Sequence, residues 1–87
     1  MTNDDTVASC QWLCEMVAHQ MGLSVDQVHP QMRLVGDLGM DSLELQSLLM
    51  AIEDALDVIP QGTQLQRVMT VSDLHTLVLQ LVDAKRH

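Results

Sequence analysis

Apolar residues return along this chain at intervals of three and four. Val7, Cys10, Cys14, Val17 and Met21 make the first such stripe, and Gly22 follows where a left-handed helix stop belongs. The spacing predicts a helix over about Thr6–Met21. Leu45, Leu48, Leu49, Ile52 and Leu56 make the second stripe, opened by Asp41-Ser42-Leu43-Glu44, in which an acid follows three residues after a good N-cap residue. That predicts a helix over Ser42–Leu56. Val71, Leu74, Val78 and Leu81 make the third, opened by the cap pair Thr70 and Asp73, and predict a helix over Val71–Ala84. Between the first two stripes, Ser24 to Val28 suit one short turn, and Pro30 keeps the chain irregular as far as Asp41. After Ile59-Pro60-Gln61-Gly62, residues 63–68 suit a short helix.

No stretch alternates polar and apolar residues as a half-buried strand would, and there is no internal repeat. The expected fold is all-α: a small antiparallel bundle of three long helices and one short one, with residues 1–87 forming a single domain. A long first loop delivers Ser42 to the start of the second helix.

Composition sharpens this picture. With 87 residues, 47% of them apolar, the chain can bury one core but cannot enclose a large catalytic cleft. Trp12 is the sole aromatic residue and there are seven methionines, so a soft, easily repacked core is expected; whether it opens to hold an acyl chain is not written in the sequence. Cys10 and Cys14, one helical turn apart, do not suggest a disulfide framework. The acidic start MTNDD is unlike a signal peptide, and no apolar run reaches the roughly 20 residues that span a bilayer. A reduced cytoplasm is the expected compartment.

Twelve acids against four bases give a net charge of -8, which argues against a nucleic-acid partner. From Leu34 to Gln66 there is no Lys or Arg, while Asp37, Asp41, Glu44, Glu53, Asp54 and Asp57 supply acids. Such a face draws basic proteins and speeds their arrival.

Catalytic motifs fail on spacing. A nucleophile elbow needs Gly-x-Ser-x-Gly between strand and helix, yet Gly39 lies three residues before Ser42 and Glu44 lies two after it. A calcium loop begun at Asp37 would place Gly39 at its third position and Leu48 at its twelfth. Cys10, Cys14 and His19 lack an identifiable fourth zinc ligand, and the four histidines, scattered singly, suit solvated positions. No catalytic residue and no metal site is expected.

What remains is a serine at a helix start. The stretch Asp37-Leu38-Gly39-Met40-Asp41-Ser42-Leu43 resembles the Leu-Gly-x-Asp-Ser-Leu attachment motif of the acyl carrier protein family. The similarity continues through LLMAIEDAL, Ile59-Pro60 and Thr70-Val71-Ser72-Asp73-Leu74, covering about Met16 to Ala84.

The resemblance implies that Ser42 is esterified by the phosphate of 4'-phosphopantetheine, transferred from coenzyme A by a magnesium-dependent phosphopantetheinyl transferase. The arm's thiol then holds acyl groups as thioesters. The chemistry suits the position, because helix-start N–H groups favour the phosphodiester charge and Gly39 lets the loop turn tightly. By the same resemblance, Leu43 and Met50 stay exposed to touch partners, while Leu48, Leu49, Ile52 and Leu56 face inward. Asp41, Glu44, Glu53, Asp54 and Asp57 would meet lysines and arginines on the transferase, a ketosynthase, an acyltransferase or acyl ligase, and other basic-surfaced biosynthetic enzymes. The resemblance implies a non-catalytic carrier, monomeric when free. Gln46 and Ser47 stand where fatty-acid carriers have an apolar residue and a glutamate, and Gln61, Gly62, Thr63 and Gln64 replace a normally acidic stretch. Those departures point away from a standard fatty-acid synthase and toward a specialised polyketide, modified-lipid or aryl-polyene type pathway. A peptidyl or aminoacyl carrier, and an interaction module that is never modified, are the alternatives.

Overall fold

The computed structural model describes residues 8–86. Among the described residues four α-helices follow in order: α1 over Cys10–Met21, α2 over Ser42–Leu56, α3 over Gly62–Leu65 and α4 over Val71–Arg86. A single 3-10 turn, Val25–Gln27, lies between α1 and α2. The architecture is a compact helical bundle. Among the described residues the β-type pairing is one isolated bridge, Arg33 to Thr70.

Local chemistry sets the helix ends. α1 starts at Cys10 because Ser9 takes an extended conformation and accepts the Gln11 N–H on its hydroxyl at 3.2 Å. The expected run over Thr6–Met21 is interrupted at Ser9, and Thr6 and Val7 lie outside the described residues. Gly22, at φ 69°, closes α1 by returning its N–H to Ala18 and His19. α2 occupies the range its stripe predicts. α3 is a single turn rather than the expected 63–68: Gln66 still bonds Gly62 O, but the Arg67 and Val68 N–H groups reach back only three residues, to Gln64 and Leu65. α4 runs two residues beyond the expected Ala84. That extension places Lys85 against the end of α2, where its ammonium bonds Leu56 O at 3.1 Å and Asp57 Oδ2 at 3.2 Å.

α1 packs against both α2 and α4. Leu13 and Val17 of α1, Leu48 and Ile52 of α2, and Val71, Leu74 and Val78 of α4 are all at most 1% exposed. Each such side chain contributes roughly 1.5–3 kcal/mol by leaving water. The expectation of a methionine-rich core is corrected: Met40 is buried, but Met16, Met21 and Met32 lie at the core's edge and Met50 and Met69 are exposed. Leucine and valine fill the α-helical stripes instead. A second correction concerns His75, which is buried rather than solvated because it shares the inward face of α4 with Val71, Leu74 and Val78.

The long loop is built, not slack. Leu34, Leu38 and Met40 insert into the core from it. Its backbone is stitched to the approach to α4 by Leu34 N–H to Met69 O at 2.9 Å, Val71 N–H to Met32 O at 3.0 Å and Ser72 N–H to Pro30 O at 2.8 Å. This fixes where α2 begins.

Candidate functional site

Ser42 is the first residue of α2 and is exposed. Asp41 caps the helix reciprocally: its carboxylate accepts the Glu44 N–H at 2.8 Å, and its own N–H donates to Glu44 Oε1 at 3.1 Å. The N–H groups of Ser42 and Leu43 have no carbonyl one turn earlier within the helix, so they face solvent beside the serine hydroxyl. An anion there meets the positive end of the helix dipole, although Asp41 and Glu44 already place two carboxylates nearby.

The loop before Ser42 is clamped by a pair that the sequence reading separated. Asp37 accepts the Arg33 backbone N–H at 2.7 Å and faces the Arg33 guanidinium at 3.3 and 3.4 Å. The backbone N–H first, and then the guanidinium, hold the Asp37 carboxyl below its ordinary range. Gly36 lets the guanidinium lie close, since a Cβ there would come within 3.1 Å of Arg33 Cζ. Gly39 takes φ 71° with nothing near its would-be Cβ, so it serves the turn and leaves the approach to Ser42 open. The spacing of Arg33 and Asp37, four residues apart, was the available signal. A charge window begun at Leu34 hides it.

Several large apolar side chains are exposed. Leu43 is 74% exposed and Met50 57%, both on α2. Val35, Met69 and Ile59 are also exposed, three residues that helical spacing had not singled out. A cleft of about 230 Å³ lies one helical turn from Ser42, lined by Leu34, Val35, Gly36, Leu45, Val68 and Met69 among others.

The acidic residues divide into two groups. Asp41 and Glu44 are engaged in the capping box, Asp37 is paired with Arg33, and Asp57 is paired with Lys85. Asp57 is 93% exposed all the same, so water screens that pair heavily. Glu53, half-buried, and Asp54, exposed, carry no ion pair within 4.0 Å among the described residues. Arg33 and Lys85 thus reach into the base-free stretch from outside it, and the face is less negative than its sequence window.

Cys14 is buried and Cys10 half-buried, both as free thiols. Burial, and then the neighbouring Cys10, push the Cys14 thiol up to about 11. Among the described residues, no three of His, Cys, Asp and Glu converge as metal ligands. No described helix is long and apolar enough to cross a membrane.

A hydroxyl exposed at a helix start, with an uncrowded glycine turn before it and free N–H groups beside it, fits a bulky phosphodiester substituent. Comparison with known proteins agrees. Residues 11–78 match the family described as phosphopantetheine attachment site. The acyl carrier protein of Saccharopolyspora erythraea is 37% identical over 68 residues, covering 78% of this chain and 72% of that protein. That of Syntrophobacter fumaroxidans is 33% identical over 70 residues, covering 80% and 86%. That of Sulfurovum sp. is 37% identical over 59 residues, covering 68% and 79%. Members of this family work with biosynthetic enzymes, which act on what the carrier bears. The chain belongs to the acyl carrier proteins and holds its 4'-phosphopantetheine covalently.

Proposed function

We propose that Ser42 is the residue esterified by 4'-phosphopantetheine, and that the protein is a non-catalytic carrier subunit. The exposed hydroxyl in the first turn of α2, within Gly39-Met40-Asp41-Ser42-Leu43, is the observation that supports this most. The serine Oγ would bond to the phosphorus of the pantetheine phosphate as the phosphoanhydride of coenzyme A breaks and adenosine 3',5'-bisphosphate leaves. The hydroxyl proton would leave to a base on the transferase, since no base of this chain stands at the hydroxyl among its described hydrogen bonds. The group's thiol supplies the thioester that bears the acyl cargo. This chain's own contribution is to hold Ser42 at a fixed, unobstructed position.

The docking surface is proposed to centre on Leu43, Met50, Glu53 and Asp54, with Asp41, Glu44 and Asp57 at its edge. The exposure of the two apolar residues and the unpaired acids beside them support it. It suits a phosphopantetheinyl transferase and basic-surfaced partners such as a ketosynthase and an acyltransferase or acyl ligase. The acid-free stretch from Val58 to Ser72, with Gln46 and Ser47 on α2, supports a specialised polyketide or lipid pathway over standard fatty-acid synthesis. Two free thiols suit a reducing compartment, the cytoplasm, and we assign a monomer as the free state.

Intact mass tests the site. Incubation with coenzyme A, magnesium and a broad-specificity phosphopantetheinyl transferase is expected to add one phosphopantetheine, mapped to Ser42. Ser42→Ala should remain folded and gain nothing. An arm accepted by the alanine variant would overturn the assignment.

A further inference from the structure

The surface carries a second, larger groove. It lies between α3 and α4, has a volume of about 510 Å³, and is lined by Thr63, Gln64, Arg67, Thr76 and Gln80 over a floor of Val68 and Leu77. Val68 also lines the 230 Å³ cleft that reaches Leu45, one turn from Ser42. The two depressions therefore adjoin at a single side chain. Val68 thus stands between the cleft beside Leu45 and the face of α4.

The groove's chemistry is unlike that of a site for an acyl chain. Its walls offer two carboxamides, two hydroxyls and one guanidinium. The Thr76 hydroxyl already donates to Ser72 O at 3.1 Å, which leaves its lone pairs to accept. The Asp73 carboxylate at one end accepts the Met69 and Thr70 N–H groups at 3.0 and 3.1 Å, so it stays anionic and is occupied. Among the described residues, Arg67 makes no ion pair within 4.0 Å of a carboxylate. An alkyl chain laid here would strip water from these groups and return no hydrogen bonds.

Resting on the reading of Ser42 above, we propose that this groove is a cradle for the pantetheine part of the arm. That segment alternates a hydroxyl and two amides with short hydrocarbon links and a geminal dimethyl group. The amides match the Gln64, Thr76 and Gln80 side chains, and the dimethyl group matches the Val68 and Leu77 floor. Such a ligand exchanges its own water for hydrogen bonds of similar quality, so binding is weak and reversible. A carrier that must release its arm to each partner needs that property.

The test uses the full chain, uniformly labelled with carbon-13 and nitrogen-15, converted with unlabelled coenzyme A by the transferase. Intact mass reports the conversion. Isotope-filtered NOE spectra then report where the arm lies. NOEs from the geminal methyls to the methyls of Val68 and Leu77 are expected, with shifted side-chain resonances at Gln64 and Gln80 between the unmodified and modified protein. Gln80→Leu should fold normally and shrink the Gln64 side-chain shift at least twofold. NOEs confined to Val35, Leu45 and Met69, or no NOEs with shifts confined to the neighbours of Ser42, would overturn the cradle while leaving the attachment site standing. Absence of the mass gain would overturn both.

Discussion

Gly39 shows how much rests on one backbone angle. At φ 71° an L side chain is strained wherever its atoms point, and the space around the would-be Cβ is empty. Gly39→Ala should therefore cost about 1 kcal/mol by backbone strain alone, read from urea unfolding, without a clash in the folded state. Asp37 makes the companion case in titration. Its folded-state carboxyl is held below the ordinary 3.8, so its contribution is present above that value and is lost as pH falls through it toward the folded-state value. Lowering pH also relieves the self-repulsion of a chain at -8, which acts in the opposite direction. The clean measurement is a difference. Wild type should lose its stability advantage over Asp37→Asn below about pH 4, in melts of the two proteins side by side. The Leu-Gly-x-Asp-Ser-Leu resemblance placed Ser42 and Gly39 in the sequence. Met40 inside the core was not legible, because its position lies in a loop with no periodicity to read.

At the scale of elements, α2 is the part whose ends and stripe were most visible. Its cap pair, apolar spacing and length all agree, so local preference and packing favour one answer. Asp41→Ala removes the carboxylate that accepts the Glu44 N–H, while the main-chain N–H at that position keeps its bond to Glu44 Oε1. The expected cost is about 1 kcal/mol, with hydrogen-exchange protection falling first at Glu44 and Leu45. Protection lost evenly along the helix would argue against a local role for the cap. α1 and α3 were read less well for stated reasons. A stripe reaching Val7 looks continuous with Cys10, but Ser9 between them prefers the hydroxyl-to-backbone bond of a cap. At the other site, Gln66 to Val68 keep helix-like composition while their bonds tighten into turns.

Across the whole molecule, charge behaves differently from its count. The base-free stretch of the sequence looked uniformly acidic, yet Arg33 and Lys85 fold back onto two of its acids. Long-range partners of this kind carry no short-range signal; Lys85 and Asp57 are 28 residues apart. The unpaired acids Glu53 and Asp54 are then the informative ones. Reversing both, Glu53→Lys with Asp54→Lys, should raise the KM of phosphopantetheinyl transfer on the order of tenfold at low salt, and by much less near 0.5 M salt, with kcat little changed. An equal rise at both ionic strengths would point to damaged packing at half-buried Glu53.

The stitching of the long loop to the approach to α4 has a mechanical consequence. Three main-chain bonds and three core side chains hold the platform under Ser42, so the platform cannot swivel toward one enzyme and then another without tearing them. All the travel between active sites must come from the flexible appendage and from tumbling of the entire protein. With Ser42 as the attachment residue proposed above, the arm hangs from a fixed pivot rather than from a hinge.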